Sequence, residues 1–178
     1  MYKRILLYLM IVFILSALQI SLVNSLSGIF SNLNLILIFL VYAVGLSKKI
    51  FTWCLAFGAG LFFDLTLFSP FGLYLFGIVI TIALVYFLHI NFLTNQSVYT
   101  YLVLIIAATV TFRIWSYLFY SLNSFFANID TYIILNKIFW FNQLSAIFLN
   151  VIFTAILFYF LAFISRRLRP VFLLPKTR

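Results

Sequence analysis

The sequence contains no glutamate and only two aspartates, Asp64 and Asp130, in 178 residues. A soluble domain carries a charged shell of about a quarter of its residues, whereas charged residues here make up 7%. Cysteine is nearly absent too. The lone Cys54 rules out an internal disulfide, and its place in an apolar run predicts that it packs as a small hydrophobe. There is one histidine, His89, with no second His, Cys or Glu near it, so a metal site is not expected. His89 reads instead as a hydrogen-bonding residue near a segment end. Catalytic signatures are missing as well: no Gly-x-Ser-x-Gly, His-Glu-x-x-His, phosphate loop or Gly-x-Gly-x-x-Gly occurs. The two aspartates fall in different settings, one within an apolar run and one in a polar loop, which argues against an acid pair. A metal-dependent lipid-phosphate transferase would need several more acids. Catalysis by this chain alone is not expected, and no cofactor is implied.

What the sequence does have is apolar surface: 67% of residues are hydrophobic, and the mean hydropathy is +1.26. Lipid is the solvent that tolerates such a chain. Inside lipid the backbone must satisfy its own hydrogen bonds, which leaves helices or a closed barrel. The apolar stretches are long and lack strict alternation, so helices are predicted. The fold class expected is an all-α membrane protein, a six-helix transmembrane bundle forming one polytopic domain over residues 1–178.

Six spans can be placed. The first runs from Ile5 to about Val23 behind Lys3 and Arg4. Ser25-Leu26-Ser27 before Gly28 offers small residues at a cleavage spacing, but the apolar part is long for a signal peptide and more spans follow, so an uncleaved helix is expected. The second span, Leu33 to Leu46, covers only about 14 residues against the roughly 20 needed to cross. The third runs from Ile50 to about Phe68, where Ser69-Pro70-Phe71-Gly72 breaks the chain. The fourth runs from Phe71 to about Leu88, and the fifth from Val98 to Ser121. The last extends from Ile138 to Ile164, beginning as an interfacial turn around Trp140 and crossing from about Leu144.

The net charge of +9 is topological information, because the basic residues sit at segment ends. No basic stretch interleaves with exposed aromatics, so nucleic acid is not an expected partner. With six crossings and the N-terminus inside, Lys3, Arg4, Lys48, Lys49, Arg166, Arg167, Arg169, Lys176 and Arg178 all face the cytoplasm, nine of the eleven basic residues. Lys137 falls outside and Arg113 within a span.

Two ionisable residues lie deep within spans. Asp64 is about 21 Å above Ile50 and Arg113 about 22 Å above Val98, at 1.5 Å per helical residue. Charges there cost at least about 2.5–3.5 kcal/mol each, and their similar heights predict an ion pair inside the bundle. The preferred reading is a fixed link that specifies helix packing; the alternative is a polar node that matters for assembly or a conformational change. Ala56, Gly60 and Asp64 recur four residues apart, which places small residues and the acid on one face open to close approach. On the last span, Asn142, Gln143 and Asn150 are expected to bond other helices.

The stretch Gly60-Leu61-Phe62-Phe63-Asp64-Leu65-Thr66-Leu67-Phe68-Ser69-Pro70-Phe71-Gly72-Leu73 resembles the central signature of the bacterial rod shape-determining protein MreD family. There a Gly precedes an Asp by four residues and a Pro-x-Gly follows; Gly60, Asp64, Pro70 and Gly72 match that spacing. Gln19 late in the first helix, then a polar loop and Asn34-Leu35, are also similar to the family's N-terminal half. Leu33 departs from it, at a place where proline is common, and the second half matches in hydropathy alone. The resemblance implies a non-enzymatic scaffold of the cell-elongation machinery in the cytoplasmic (inner) membrane. It implies MreC as partner and, through that complex, MreB, RodA and a penicillin-binding transpeptidase. The family's fold is thought similar to the substrate-binding subunits of energy-coupling-factor vitamin transporters, which supplies an alternative function as a small-molecule uptake subunit. Such subunits show an Ala-x-x-x-Ala face on the first helix, where this chain has Phe13-x-x-x-Ala17 and Ser16-x-x-x-Ile20.

Overall fold

A computed structural model describes residues 2–23, 25–26, 28–46, 49–67, 70–94, 97–126 and 137–168. Those residues are mostly helical, joined by short turns, with no strand among them. The helices are α1 (Tyr2–Leu18), α2 (Leu35–Leu46), α3 (Lys49–Thr66), α4 (Leu73–Asn91), α5 (Val98–Phe126) and α6 (Lys137–Leu168). A π-helical turn, Gln19–Val23, prolongs α1, and a 3-10 turn, Gly28–Asn32, precedes α2. The helix positions match the six predicted segments to within a few residues. The last segment, α6, is one continuous helix of 32 residues from Lys137, with the turn around Trp140 as its start.

Lys49–Thr66, Leu73–Asn91, Val98–Asn123 and Phe139–Phe163 are long and apolar enough to cross a membrane. Their outward faces support that environment. Phe57 on α3, Phe76 and Phe87 on α4, Ile114 and Leu118 on α5, and Phe148 and Ile156 on α6 are all exposed. Water would penalise such a surface at roughly 25 cal/mol per Å². Meanwhile Ser16, Gln19, Asp64, Thr109, Ser145, Asn150 and Thr154 are buried. An apolar exterior around a hydrogen-bonding interior is the arrangement that lipid favours.

The short second segment occupies the centre. α2 has 12 residues, about 18 Å at the helical rise of 1.5 Å per residue, too little for a hydrocarbon core of about 30 Å. It contacts α1, α3, α4, α5 and α6, and Ile38, Leu40 and Val41 are fully buried. Around it, α1 packs on α3, α3 on α4, α4 on α5 and α5 on α6, while the 3-10 turn reaches α6 and the π-helical turn. The segment before α2 is exposed from Gly28 to Ser31 and becomes half-buried only at Asn32, Leu33 and Asn34, where it enters the bundle.

Cys54 differs from expectation. It is exposed on the outer face of α3, where a thiol is apolar enough to meet lipid, and it is not part of the core. The small-residue face behaves as expected in being buried, with Ala56 at 0% exposure and Gly60 and Asp64 buried beside it, but the chain's own α4 fills it. A methyl placed on Gly60 would lie 2.7 Å from the Leu75 Cα. That neighbour is backbone and cannot swing aside. Gly60→Ala is therefore expected to cost about 1–3 kcal/mol, the usual penalty for overpacking. Cys54→Leu should stay within about 0.5 kcal/mol of the parent chain. Thermal unfolding of both variants in detergent checks the contrast.

Candidate functional site

Non-helical backbone inside an apolar bundle must find polar partners, and here side chains from distant helices provide them. Gln19, at the start of the π-helical turn, donates from Nε2 to the Leu33 carbonyl at 2.8 Å and accepts the Leu35 N–H on Oε1 at 2.8 Å. Asn150 of α6 accepts the Asn34 N–H at 2.9 Å and donates to Thr109 Oγ1 of α5 at 3.1 Å. Asn34 caps α2 by accepting the Leu37 N–H at 3.1 Å. The two peptide groups that precede α2 are thus held by one amide from each side.

The predicted signature folds as a single lock between α3 and α4. The carboxylate of Asp64 accepts the Gly72 N–H at 3.0 Å, the Tyr74 N–H at 2.9 Å and the Leu75 N–H at 3.1 Å. A helix start leaves its first N–H groups without internal partners and carries positive partial charge. An anion supplied by the preceding helix answers both needs. Gly60 lies one turn before Asp64 and gives the room for the Leu75 backbone to come close enough. Gly72 closes the turn at φ 97°, the left-handed region that a residue with a Cβ enters only with strain. Pro70 is exposed, and its carbonyl accepts the Leu73 N–H at 3.3 Å. The indole of Trp115 then ties α5 to the same turn, donating to the Leu73 carbonyl at 3.0 Å.

This geometry corrects the predicted ion pair. Among the described residues no ion pair joins Asp64 to Arg113. The acid is filled by backbone N–H groups, and Arg113 donates from Nη2 to Asn32 Oδ1 at 3.1 Å. Asn32 passes the link on, donating from Nδ2 to Ser145 Oγ at 3.0 Å, and Ser145 donates to the Asn142 carbonyl at 3.0 Å. Sequence reasoning placed the two charges toward the same end of the bundle, as they are, but assumed that opposite charges at equal height must meet. It missed that a helix N-terminus is itself a partner for an acid. The Gly72 turn eight residues after Asp64 was the available signal. Asp130 lies outside the described residues.

Arg113 lines a cavity of about 270 Å³ at the end of the bundle where α1, α3 and α5 finish. Gln19, Asn32, Asn34, Tyr74, Ser116 and Asn150 contribute polar groups to its wall, and Leu37, Phe63, Leu73 and Phe112 contribute apolar ones. Of the last-helix amides singled out by sequence, Asn150 is buried in this wall while Asn142 is exposed. Ala56 lies away from the cavity, in the α3 packing face. At the opposite end of the bundle, the Lys49 ammonium sits over the Tyr86 ring at 5.1 Å. There the Nδ1 of His89 is buried with no hydrogen-bond partner among the described residues.

The fold and site define the class, an all-helical membrane protein with an acid-capped helical hairpin and a polar cavity at one end. Comparison with protein-family models, curated proteins and solved structures gave no match to this chain.

The separation of the two charges has a thermodynamic consequence. Asp64→Ala strips one buried and two part-buried N–H groups of their acceptor and should cost about 2–3 kcal/mol. Arg113→Gln should leave that cap in place. Because the residues do not pair, Asp64→Ala combined with Arg113→Gln is expected to be additive within about 0.5 kcal/mol. Unfolding of the three variants in mixed micelles reads this directly, and a large coupling energy would restore the ion pair.

Proposed function

We propose that this protein is a non-enzymatic membrane scaffold of the bacterial cell-elongation machinery, one that binds MreC and through it influences peptidoglycan synthesis and cell shape. The observation that carries the reading is the Gly60, Asp64, Pro70 and Gly72 signature. In the fold these residues form one helix-to-helix lock rather than a row of reactive groups. The oxygens of Asp64 accept backbone N–H groups, so this carboxylate is engaged in holding α4 rather than poised for proton transfer. A scaffold needs a rigid body with apolar outer faces, and the exposed Phe and Ile positions of α4, α5 and α6 offer such faces to a partner's membrane span. The small-residue face of α3 is not among them, since α4 covers it.

In this reading α1 and α2 also span, giving six crossings of the cytoplasmic membrane with both termini inside, as the distribution of Lys and Arg favours. In a Cys54→Ala background, a cysteine at Ser25 should react with an impermeant maleimide from outside intact cells. One at Asn91 should react only after lysis. The reverse pattern would overturn the orientation.

A second reading is favoured by the cavity: a substrate-binding subunit of an energy-coupling-factor-type transporter. Affinity purification of the tagged chain from native membranes separates the two. Recovery of MreC, with RodA or a penicillin-binding transpeptidase, is the expected result. Recovery of a coupling membrane subunit with its ATPases would replace the scaffold by the transporter.

A further inference from the structure

Arg113 sits in the cavity wall, and among the described residues no acid balances its charge. A guanidinium offers five N–H donors, and the bond to Asn32 uses one of them on a neutral amide. Among the described residues, no aspartate or glutamate lines the cavity. Of the chain's two acids, Asp64 has its carboxylate occupied by the start of α4, and Asp130 lies outside the described residues. A cation in an apolar bundle is retained at a cost unless an anion answers it. The neighbouring groups fit the same partner. The Asn32 amide is fixed by its bonds to Arg113 and Ser145, so the arginine fork is held in one place and the rest of it remains for a planar or tetrahedral oxyanion.

We propose that this cavity, walled by Arg113, Asn32, Ser116 and Tyr74 over an apolar floor of Leu37 and Phe112, binds the oxyanion of a small acid or of a lipid headgroup, a carboxylate or a phosphate. Its volume of about 270 Å³ lies just below the roughly 300–1,000 Å³ of sites for larger organic ligands, which suits a headgroup or a short organic acid. The floor suits an apolar body attached to the anion. Access is through the end of the bundle, where Ser31 and Tyr120 are both exposed at the rim. The inference holds under either functional reading, because it concerns a ligand and not a protein partner. Failure to capture MreC would leave it standing, and failure to bind an anion would leave the scaffold standing.

The test uses the full chain in nanodiscs. Equilibrium dialysis with radiolabelled benzoate and with inorganic phosphate, in phosphatidylcholine discs, measures binding of a soluble anion. Native mass spectrometry after reconstitution in mixed phosphatidylcholine and phosphatidylglycerol measures retention of an anionic lipid. Saturable binding in the first arm assigns a small acid, and selective retention of phosphatidylglycerol in the second assigns a headgroup. In whichever arm binding appears, Arg113→Gln is expected to weaken it about tenfold or more, with Arg113→Lys between the two. Should Arg113→Gln fail to fold, Ser116→Leu fills the cavity while leaving the Arg113–Asn32 bond, and it should abolish binding alone. Absence of binding in both arms overturns the proposal, as does binding indifferent to Arg113→Gln and Ser116→Leu. Binding that emerges only in Asp130→Asn also overturns it, since the chain's own carboxylate would then be the anion.

Discussion

Every peptide group that leaves helical geometry inside an apolar bundle has to be met by another polar group, because no water is at hand. The arrangement of this protein follows from that constraint. Its helices satisfy themselves along their lengths and pack through apolar side chains. The difficulty is concentrated at one end, where the chain turns from α1 into α2 and from α3 into α4. Gln19, Asn34 and Asn150 serve the first turn, and Asp64 serves the second. Gln19, Asn150 and Asp64 reach from the end of α1, from α6 and from α3, so satisfying the backbone also fixes which helices are neighbours.

Those polar contacts explain how a helix of 12 residues can be the core. α2 need not present an apolar belt to lipid, because other helices surround it. It need not be long, because the segment before it is held by amides within the bundle. Hydrogen bonds between helices in a membrane contribute about 0.6–2 kcal/mol each. Several of them acting on one short segment hold it as firmly as a longer apolar stretch would.

Much of the fold was legible in the sequence, for a simple reason. Runs such as Val98–Ser121 and Leu73–Leu88 are too long and apolar for anything but a helix in lipid, and the Pro70-x-Gly72 break marks the hairpin unambiguously. The lesser accuracy lay in pairings. The burial of Gly60 and Asp64 on one face was readable from their spacing, yet the identity of the covering helix was not, since spacing defines a face and not its occupant. Cys54 shows the same limit. An apolar run buries only the side of the helix that meets its neighbours, and period alone did not tell which side Cys54 would take. Gln19 and Asn150 belong to the same set, polar letters in apolar runs whose partners are fixed only by tertiary structure. The cavity was invisible at this level because its wall gathers residues from 19 to 150.

The apolar exterior and the polar end of this bundle place unequal demands on the gene that encodes it. At Phe57, Phe87, Ile114 or Phe148 the fold asks only for an apolar side chain of some kind, and many substitutions satisfy that. At Gly60, Asp64, Gly72 and Gln19 it asks for one shape or one set of lone pairs. A lineage carrying this architecture can therefore exchange most of its letters over time without disturbing its shape. It would keep a sparse set of fixed positions too few and too scattered for overall sequence identity to register.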